Sequence, residues 1–473
     1  MFLDNSSQPS TLQSLLTEQK NAFNAAPLST KKQRIDNLKQ LKTALLTHQE
    51  SIIEALSKDY GHRPTQDSII GDILPCVMNI NYTIKKLKKW MKPSRRSAGL
   101  LLAPATVRVE YQPLGVIGIM VPWNFPVMLS VGPLITALAA GNRAMIKLSE
   151  FTPHTNKAIT AMLSSIFDDS QVAVIEGEAE IAAQFSALPF DHLMFTGSTT
   201  VGRHVMRAAA DNLTPITLEL GGKSPVIIAP DMPIETAVER LIYGKCLNGG
   251  QICVAPDYVL CPRDKVDELV QSYQAQFQTM YGENSSRHDY THIINDTQHQ
   301  RLEASLVDAA NKGAVIIPAN NAERDVTSRN MATQLITNVS DDMLIMQQEI
   351  FGPILPILPY DSLDEAISYI NERPHPLALY IMSFNKTAQR KILNNTKSGG
   401  VCINDTIMHV AADDAPFGGV GSSGMGQYHG HEGFQTFSKA KTILSRGRLN
   451  TGKLVYPPYD TFIQRLLLKI FLR

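Results

Sequence analysis

The stretch VIGIMVPWNFPVMLSVGPLITALAAGNRAMIK, residues 116–147, decides the fold class. It opens with a continuous apolar run, Val116–Val121, as expected for a strand buried on both faces. The apolar helix predicted over Phe125–Ala140 ends at Gly141-Asn142, which is a typical C-terminal capping signal. A second apolar strand follows over Ala144–Lys147. Strand, helix and strand in this order predict a parallel α/β unit.

The alternation of strands and helices continues beyond this stretch and restarts near 219–224. Residues 283–335 are less regular and hold one predicted strand, at 314–317. The other helices are predicted at 155–167, 179–188, 235–247 and 265–281. The other strands are predicted at 172–175, 192–195, 225–228, 258–261, 354–358, 378–382 and 401–403. Two successive α/β units, the first with a doubly wound parallel sheet, follow from this pattern.

The residues before this α/β region have a different pattern. Residues 10–60 and 66–95 carry Leu and Ile at helical spacing with polar residues between them, which predicts helices. Residues 105–113 alternate between apolar and polar side chains, as an exposed strand or a hairpin arm does.

Composition narrows the class of protein. At the usual domain size, 473 residues correspond to roughly two to four domains. The 44 basic and 44 acidic residues leave no net charge, which argues against nucleic acid as the main partner. The first ten residues are polar, so the sequence predicts no signal peptide there. No run of 18 apolar residues occurs, so it predicts no membrane span. We therefore expect a cytoplasmic protein of enzyme size.

Five cysteines are too few, and too irregularly spaced, for a disulfide framework or a structural metal site. Four of them, Cys76, Cys246, Cys261 and Cys402, sit in apolar segments and are predicted to be core residues. Cys253 differs, because Asn248-Gly-Gly-Gln-Ile-Cys253 surrounds one thiol with glycines and amides. This setting favours a reachable nucleophile.

Two motifs indicate nucleotide binding when they are taken together. In Phe195-Thr-Gly-Ser-Thr-Thr-Val-Gly202, glycines follow a strand and open a helix, whose free N–H groups attract an anion. A tight strand-to-helix turn explains this motif alone equally well. Lys147-Leu-Ser-Glu150 puts an acid at the end of a buried strand, where dinucleotide folds hold a ribose hydroxyl. Taken alone, this second motif is explained better by a solvated strand end.

Three further motifs offer polar groups near strand ends, each with a plainer alternative. Glu219, in Leu218-Glu-Leu-Gly-Gly-Lys223, suits a general base, or it is an ordinary surface carboxylate. Asn124, in Pro-Trp-Asn-Phe-Pro, suits an oxyanion donor, or it caps a helix. Glu349 and Phe351 put an acid and an aromatic ring before a strand, or they form a plain turn.

In their order and spacing, these motifs resemble the NAD(P)-dependent aldehyde dehydrogenase family over about residues 10–447. Two motifs resemble the shorter, class 3-type branch of the family, namely Cys-Val-Ala-Pro-Asp-Tyr and the late Tyr456-Pro-Pro-Tyr. A third, Val109-Glu-Tyr-Gln-Pro, resembles bacterial coniferyl aldehyde dehydrogenases. The resemblance implies a Rossmann-like cofactor domain (1–219), with a strand arm near 97–113, and a second α/β catalytic domain (220–415). Residues 416–447 would return to the cofactor and oligomerisation region, and a tail would span 448–473.

The resemblance also implies an oxidoreductase that converts an aldehyde to the carboxylic acid. Cys253 would attack the aldehyde carbon to form a thiohemiacetal, which loses hydride to become a thioester. Asn124 and the backbone N–H of Cys253 would hold the oxyanion, and Glu219 would activate the hydrolytic water. The other matched positions would surround the cofactor, and they are Trp123, Lys147, Glu150, Gly197, Ser198, Gly202, Glu349 and Phe351.

Two departures from the family pattern affect specificity. Leu148 replaces the usual Pro after Lys147, which leaves NADP open as an alternative, although the carboxylate of Glu150 favours NAD. Ile252 stands where Thr or a small residue is common. The resemblance suggests coniferaldehyde or a related aromatic aldehyde as substrate, and medium- or long-chain aliphatic aldehydes are the competing class. A thiol esterase and a non-catalytic relative are alternatives, against which the nucleotide motifs and the intact catalytic set argue.

Residues 461–473, TFIQRLLLKIFLR, predict a basic amphipathic helix. Such a helix suits peripheral contact with a membrane surface and is too short to span a bilayer. The alternative, which we favour slightly at this level, is packing on its own subunit or on a partner. The resemblance implies a homodimer, so the expected partners are a small aldehyde, a second copy of the chain and, through the tail, a membrane surface.

Overall fold

The computed structural model describes residues 11–282, 289–320 and 328–472. Predictions for the first ten residues, for parts of the 283–335 stretch and for Arg473 fall outside these ranges. Within them, the strands form three sheets. The strands are β1 (Ser94–Arg96), β2 (Thr106–Pro113), β3 (Val116–Met120), β4 (Arg143–Lys147), β5 (Val172–Ile175), β6 (His192–Gly197), β7 (Ile216–Leu220), β8 (Pro225–Ile228), β9 (Tyr258–Pro262), β10 (Val315–Pro318), β11 (Gln334–Thr337), β12 (Ile354–Tyr360), β13 (Ala378–Met382), β14 (Gly400–Ile403), β15 (Gly424–Met425) and β16 (Ser438–Ser445).

The helices of the described residues cover the faces of these sheets and form an N-terminal layer. They are α1 (Thr11–Ala25), α2 (Lys31–Thr47), α3 (Gln49–Tyr60), α4 (Thr65–Ser68), α5 (Leu74–Trp90), α6 (Pro126–Ala140), α7 (Pro153–Ser164), α8 (Ala179–Ser186), α9 (Thr199–Ala210), α10 (Ile234–Cys246), α11 (Val266–Tyr281), α12 (Asp296–Asn311), α13 (Leu344–Gln347), α14 (Leu363–Asn371), α15 (Lys386–Asn395), α16 (Gly430–Thr436) and α17 (Phe462–Phe471). None of them is long and apolar enough to cross a lipid bilayer.

The first large sheet has the strand order β15-β7-β6-β3-β4-β5. Its strands β3 to β7 pair in parallel, and the short β15 joins β7 in the antiparallel sense. Helix α6 is apolar all round and almost completely buried, because α2 and α5 cover the side that it turns away from the sheet. The doubly wound parallel sheet that the sequence predicts is confirmed.

The second large sheet has the strand order β10-β11-β12-β9-β8-β13-β14. Its strands are parallel except β10, which joins β11 at the edge in the antiparallel sense. The central strands β8, β9 and β13 are fully buried, as their apolar sequences predict. The α/β class is therefore confirmed for this unit as well.

The third sheet is an arm built from distant parts of the chain. Strand β2 pairs with β1 on one side and with β16 on the other, both antiparallel. The pairing of Thr106 with Ser445 and of Val107 with Arg96 brings one end of all three strands together. The loop 97–105 and the segment after residue 445 therefore leave the arm at the same end.

The helices predicted for residues 10–60 are confirmed, and there are three of them, because a capping box of Thr30 and Gln33 starts α2 and the chain turns again at His48. Two details of the sequence prediction are wrong. The stretch 283–335 contains the 16-residue helix α12, which starts at the N-cap Asn295. Cys402 is only half-buried, because it lies on the edge strand β14.

Candidate active site

A cleft of about 1090 Å³ opens where the two large sheets face each other. Asn124 follows β3, Ser198 follows β6 and Glu219 lies near the end of β7. Cys253 precedes β9, and Glu349 precedes β12. All five side chains line this cleft, so the structure brings the predicted catalytic residues to the carboxyl edge of the first sheet.

The loop that carries Cys253 is held in an unusual backbone conformation. Asn248, Gly249 and Gly250 have φ values of 52°, 61° and 73°, in the left-handed region that favours glycine. A Cβ atom on Gly250 would lie 2.7 Å from the carbonyl oxygen of Gly352. The two glycines are thus required for the backbone path that leaves Cys253 half-buried and facing the cleft.

The environment of the Cys253 sulfur favours the neutral thiol. Desolvation of the sulfur and, after it, the carboxylates of Glu349 and Glu219 raise the pKa of Cys253 to about 12. The backbone N–H groups of Cys253 and Val254 act in the opposite direction. Attack on a substrate therefore requires that the thiol give up its proton to a nearby base.

Asn124 does not cap a helix, so that alternative interpretation is wrong. Helix α6 begins after Phe125, and the carboxylate of Asp72 accepts hydrogen bonds from the N–H groups of Val127 (3.0 Å) and Met128 (2.9 Å). The side-chain nitrogen of Asn124 instead donates to the carbonyl oxygen of Gln251 at 3.1 Å. Its amide therefore belongs to the Cys253 loop.

Buried polar residues that the sequence interpretation missed hold the backbone of Asn124. The carbonyl oxygen of Asn124 accepts hydrogen bonds from the hydroxyl of Tyr60 (3.0 Å) and from the amide of Asn248 (3.1 Å). Arg63 lies within 3.4 Å of the same oxygen and forms a fully buried ion pair with Asp72, at 2.9 Å. A polar network thus surrounds the candidate oxyanion donor on its protein side.

Glu219 is buried without a hydrogen-bond partner. Only 3% of the residue is exposed, and neither carboxylate oxygen has a partner among the described residues. Burial raises the pKa of Glu219 well above its usual value. The alternative of an ordinary surface carboxylate is therefore wrong. A carboxyl group with a raised pKa, set beside a thiol, fits a general base.

Glu349 forms the opposite wall of the cleft. The N–H of Gly222 donates to its carboxylate, and burial followed by the charge of Asp257 raises the pKa of Glu349 to about 8. One carboxylate oxygen has no partner among the described residues. Gly221 leaves room for this carboxylate, because a Cβ atom there would lie 2.0 Å from Oε2 of Glu349.

Aromatic rings enclose the same end of the cleft. The rings of Trp123 and Phe351 meet edge to face, with centroids 5.2 Å apart. Phe351 has a φ of 47°, so its backbone is in the left-handed region that side chains other than glycine seldom adopt. These rings form an apolar wall beside the free oxygen of Glu349.

The glycine-rich turn after β6 forms a cradle for an anion. Ser198 caps α9 by accepting a hydrogen bond from the N–H of Val201 at 3.3 Å, and the first turn of α9 has no acidic residue. A Cβ atom on Gly197 would lie 2.5 Å from the ring of Phe195, and one on Gly202 would lie 2.7 Å from Leu220. The cradle and the uncapped N–H groups of this turn fit the diphosphate of a dinucleotide.

Lys147 and Glu150 lie outside the lining of the cleft, as does Gly202. The ammonium of Lys147 is buried and donates to the carbonyl oxygen of Leu148 at 2.7 Å. Glu150 is exposed just after β4. Their contact with a ribose stays a prediction.

The cleft also contains cations that the motif interpretation did not include. Lys223 pairs with Asp257 and donates to the carbonyl oxygen of Ile345 at 2.6 Å. Arg301, on the unpredicted helix α12, donates to the carbonyl oxygen of Ile350 at 2.6 Å. Both side chains support the segment that carries Glu349. Lys223 is the last residue of the motif Leu218-Glu-Leu-Gly-Gly-Lys223 that contains Glu219, whereas no sequence motif marks Arg301.

Metal and histidine chemistry receive no support from the described residues. Across 11–282, 289–320 and 328–472, no group of three or more His, Cys, Asp or Glu side chains is placed to hold a metal ion. Within the same ranges, no histidine forms a hydrogen bond with the Cys253 sulfur, and the charges that act on it come from two carboxylates. Among the described residues, the thiol esterase alternative therefore lacks the histidine base that usually activates a cysteine nucleophile.

The model of the aldehyde dehydrogenase family matches residues 5–443. A probable coniferyl aldehyde dehydrogenase of Pseudomonas aeruginosa is 51% identical over 462 residues, covering 98% of this chain and 96% of that protein. A coniferyl aldehyde dehydrogenase of a Pseudomonas species is 43% identical, covering 92% and 91%. A 4,4'-diaponeurosporen-aldehyde dehydrogenase of Staphylococcus aureus is 41% identical, covering 90% and 92%.

Solved structures give the same assignment. The substrate-bound state of an aldehyde dehydrogenase from Staphylococcus aureus superposes with a TM-score of 0.93 at 38% identity, covering 98% of this chain and 100% of that one. A betaine aldehyde dehydrogenase of the same organism, solved in complex with NAD⁺, has a TM-score of 0.82 at 25% identity, covering 93% and 88%.

Proposed function

Because the chain belongs to the aldehyde dehydrogenase family, we propose that it oxidises coniferaldehyde or a related aromatic aldehyde to the carboxylic acid. The chain is an enzyme of this family and uses a nicotinamide dinucleotide. One observation carries the assignment of roles, namely that Cys253, Asn124, Glu219 and Glu349 line one cleft. The names and the 51% and 43% identities of the coniferyl aldehyde dehydrogenases support the substrate class.

Cys253 is proposed as the nucleophile. Its thiol loses a proton to Glu219, directly or through water, and the sulfur bonds to the aldehyde carbon as the C=O double bond opens. The side-chain N–H of Asn124 and the backbone N–H of Cys253 stabilise the resulting oxyanion. The nicotinamide ring, when bound, accepts the hydride that the thiohemiacetal carbon loses. Two electrons thus leave the substrate, and the C=O bond re-forms as a thioester.

Glu219 is proposed to complete the reaction as a general base. Its carboxylate takes a proton from a water molecule, whose oxygen bonds to the thioester carbon. The bond between carbon and sulfur breaks, and the carboxylic acid and the Cys253 thiolate separate. Burial raises the pKa of Glu219, so its carboxylate is a stronger base than an exposed one.

For the cofactor, we propose NAD over NADP. We propose that Trp123, Phe351 and Glu349 hold the nicotinamide and its ribose, and that Gly197 and Ser198 hold the diphosphate; that all five residues line the cleft supports this proposal. Glu150 would repel a 2′-phosphate if the adenosine ribose lies at the end of β4. Replacement of Glu150 by Ala should raise kcat/KM for NADP relative to NAD. An unchanged ratio would remove Glu150 from this role.

A medium- or long-chain aliphatic aldehyde is the second candidate substrate. The Staphylococcus aureus relative at 41% identity is named for a 4,4'-diaponeurosporen aldehyde, which supports a substrate other than coniferaldehyde. A ranking of substrates by kcat/KM separates the two classes.

The proposed organisation is a cofactor unit over 1–219, a catalytic unit over 220–415, a return segment over 416–447 and a tail over 448–473. We propose a homodimer that pairs through the exposed edge strand β16 of the arm. The proposed location is the cytoplasm, with peripheral membrane contact through residues 461–473. Light scattering that gives the mass of one chain would overturn the dimer.

The test is nicotinamide reduction followed by absorbance. NAD or NADP is supplied with coniferaldehyde, benzaldehyde, hexanal or dodecanal, and the Cys253→Ala variant is the matched control. We expect reduced cofactor with the wild type, a loss of at least about 10³-fold in the variant, and the highest kcat/KM with coniferaldehyde. Equal activity of the variant would overturn Cys253 as the nucleophile, and a higher kcat/KM for dodecanal would overturn the aromatic substrate.

A further inference from the structure

Two segments far apart in sequence expose apolar side chains at the same end of the arm. The first is the loop 97–105, in which Leu100 is 82% and Leu101 is 57% exposed. The second is the segment 446–472, which leaves β16 beside the start of β2. The hydroxyl of Thr451 donates to the carbonyl oxygen of Ala103 at 2.6 Å and ties the two segments together.

Helix α17 continues this exposed apolar region. It starts with a capping box of Thr461 and Gln464, and the side chain of Gln464 donates to the carbonyl oxygen of Tyr456 at 2.9 Å. Gln464 is the one buried residue of the helix. Among the described residues, the apolar face of α17 therefore does not pack on its own subunit. Packing on a partner, the other half of that alternative, stays a prediction.

The outer face of α17 is apolar and flanked by cations. Phe462, Ile463, Leu466 and Ile470 fall on one side of the helix and are 48% to 75% exposed. Arg465 and Lys469 follow each other by four residues and flank that side. Arg465 lies 3.5 Å from Asp460, but both side chains are largely exposed, so this pair is weak.

Charge and exposed apolar area are concentrated in the same region. Residues 438–473 contain eight basic residues and one acidic residue, in a chain whose net charge is zero. More than half of the large apolar side chains that are exposed within the described residues lie in 100–101 and 444–472. An apolar patch of this size on a protein surface marks a contact site, and its cationic surroundings select a negatively charged partner.

We infer that loop 97–105 and helix α17 together form a docking surface for anionic phospholipid. The apolar side chains of Leu100, Leu101 and the outer face of α17 enter the interface between headgroups and acyl chains, while Arg465 and Lys469 extend to the phosphates. Ten helical residues span about 15 Å, half of a bilayer core, so the helix lies along the surface. This inference rests on the peripheral membrane contact in the proposed function, and it adds loop 97–105 and the lipid charge.

The experiment is co-sedimentation of the full chain with vesicles of phosphatidylcholine alone or of phosphatidylcholine mixed with phosphatidylglycerol. We expect binding to the mixed vesicles that weakens as salt is raised. The Arg465→Glu and Lys469→Glu double variant should reduce the partition coefficient at least about 30-fold. The Ile463→Asp and Leu466→Asp pair, and separately Leu100→Asp with Leu101→Asp, should each reduce it more than about tenfold.

Matched controls make the same changes elsewhere on the surface. Lys31→Glu with Lys32→Glu, and Leu28→Asp, alter exposed residues outside the proposed surface and should leave binding unchanged. Aldehyde oxidation without vesicles should stay within about twofold of the wild type in all variants, because none of these residues lines the cleft. This readout separates failure of the docking surface from failure of the proposed activity.

Three outcomes would overturn the inference. The first is that active wild type binds neither kind of vesicle, and the second is that it binds neutral and anionic vesicles equally. The third is that only the α17 variants lose binding, while the variant with Leu100→Asp and Leu101→Asp binds normally. Light scattering adds a test of the competing occupant. If the α17 variants halve the mass of the particle and vesicles do not bind the wild type, a second copy of the chain covers this surface.

Discussion

The side-chain nitrogen of Asn124 lies 3.1 Å from the main-chain oxygen of Gln251, two residues before Cys253. One N–H of the amide is therefore fixed by the loop that carries the nucleophile, and the other is left for a substrate oxygen. Gln251 is itself fixed, because its side chain donates to Asn248 at 2.8 Å and accepts from the N–H of Ile294 at 3.0 Å. Asn124, the proposed oxyanion donor, and Cys253, the proposed nucleophile, thus share one rigid support.

Replacement of Asn124 by Ala should lower kcat by about 10²- to 10³-fold, because it removes a donor that acts on charge developing in the transition state. Cofactor affinity should change little. Steady-state kinetics and titration with NAD measure both. Asn124→Asp is the matched variant, since it keeps the volume but loses the N–H donors, and it should be equally slow. A loss below tenfold in both variants would rule out this role.

Replacement of Tyr60 by Phe should lower kcat about fivefold, the effect of one lost hydrogen bond of roughly 1 kcal/mol. The hydroxyl acts on the backbone of Asn124, so Tyr60 is a positioning residue and KM for NAD should not move. Tyr273→Phe is the control, because its hydroxyl bonds to Thr333 within the core. That variant should lose stability without losing kcat. Equal kcat in Tyr60→Phe and wild type would show that the other donors suffice.

Replacement of Glu219 by Gln should slow the hydrolysis of the thioester by about 10²-fold or more. The expected signature is a burst of one reduced cofactor per active site, followed by a slow steady state. Stopped-flow absorbance measures the burst, and mass spectrometry of the quenched enzyme detects the acyl group on Cys253. A slow reaction without a burst would mean that loss of the Glu219 carboxylate slows proton removal from the Cys253 thiol more than it slows hydrolysis of the thioester.

The raised pKa of Glu219 also predicts how stability depends on pH. Between the usual carboxyl pKa and the raised one, the folded protein binds a proton that the unfolded chain has released. The contribution of this group to folding is therefore complete at low pH and is lost as pH rises. The Glu219→Gln variant does not lose this stability as pH rises. Its melting temperature should therefore exceed that of the wild type by about 2 °C or more at pH 9. Thermal scans at pH 6 and pH 9 test the difference, and a larger gain at pH 6 would contradict it.

Glu349 should make cofactor binding depend on pH. Its pKa of about 8 means that the carboxyl group is largely protonated at pH 7 in the free enzyme. A carboxylate accepts hydrogen bonds from ribose hydroxyls more strongly than the acid does, so KM for NAD should fall as pH rises through 8. Glu349→Gln should raise KM about tenfold and remove this dependence. A wild-type KM that is constant from pH 7 to pH 9 would exclude the effect.

That Cys253, Glu219 and Asn124 belong to one site could be predicted from the sequence because their local surroundings are unusual, and the structure brings all three to one cleft. Glycines beside Cys253 and Glu219 are a poor setting for packed core residues. In the structure, a larger side chain at Gly250 or Gly221 would collide with neighbouring atoms. The fold class followed from the continuous apolar runs of β3 and β4. These signals are local, so they survive without knowledge of the tertiary structure.

The support of the site could not be predicted in the same way. Tyr60, Arg63 and Asp72 lie in or next to ordinary helices. The contacts of Tyr60 and Arg63 with Asn124, and of Asp72 with the start of α6, exist only after the N-terminal layer has packed on α6. Helix α12 was missed because its mostly polar surface leaves few buried positions, Leu302 and Leu306 among them. Both failures have the same cause. The roles of these residues depend on tertiary contacts, and no local sequence pattern indicates those contacts.

The arm sheet has a consequence for synthesis of the chain on the ribosome. Strand β2 pairs on one side with β16, and Tyr111 faces Ala440 across that ladder. At 5 to 20 residues per second, about 330 residues take roughly 16 to 66 seconds to be added after Tyr111. Until then, β2 has only the three-residue β1 as a neighbour, and its other edge is open. The nascent protein therefore carries an unpaired strand edge for most of its translation, and the last strand to emerge closes it.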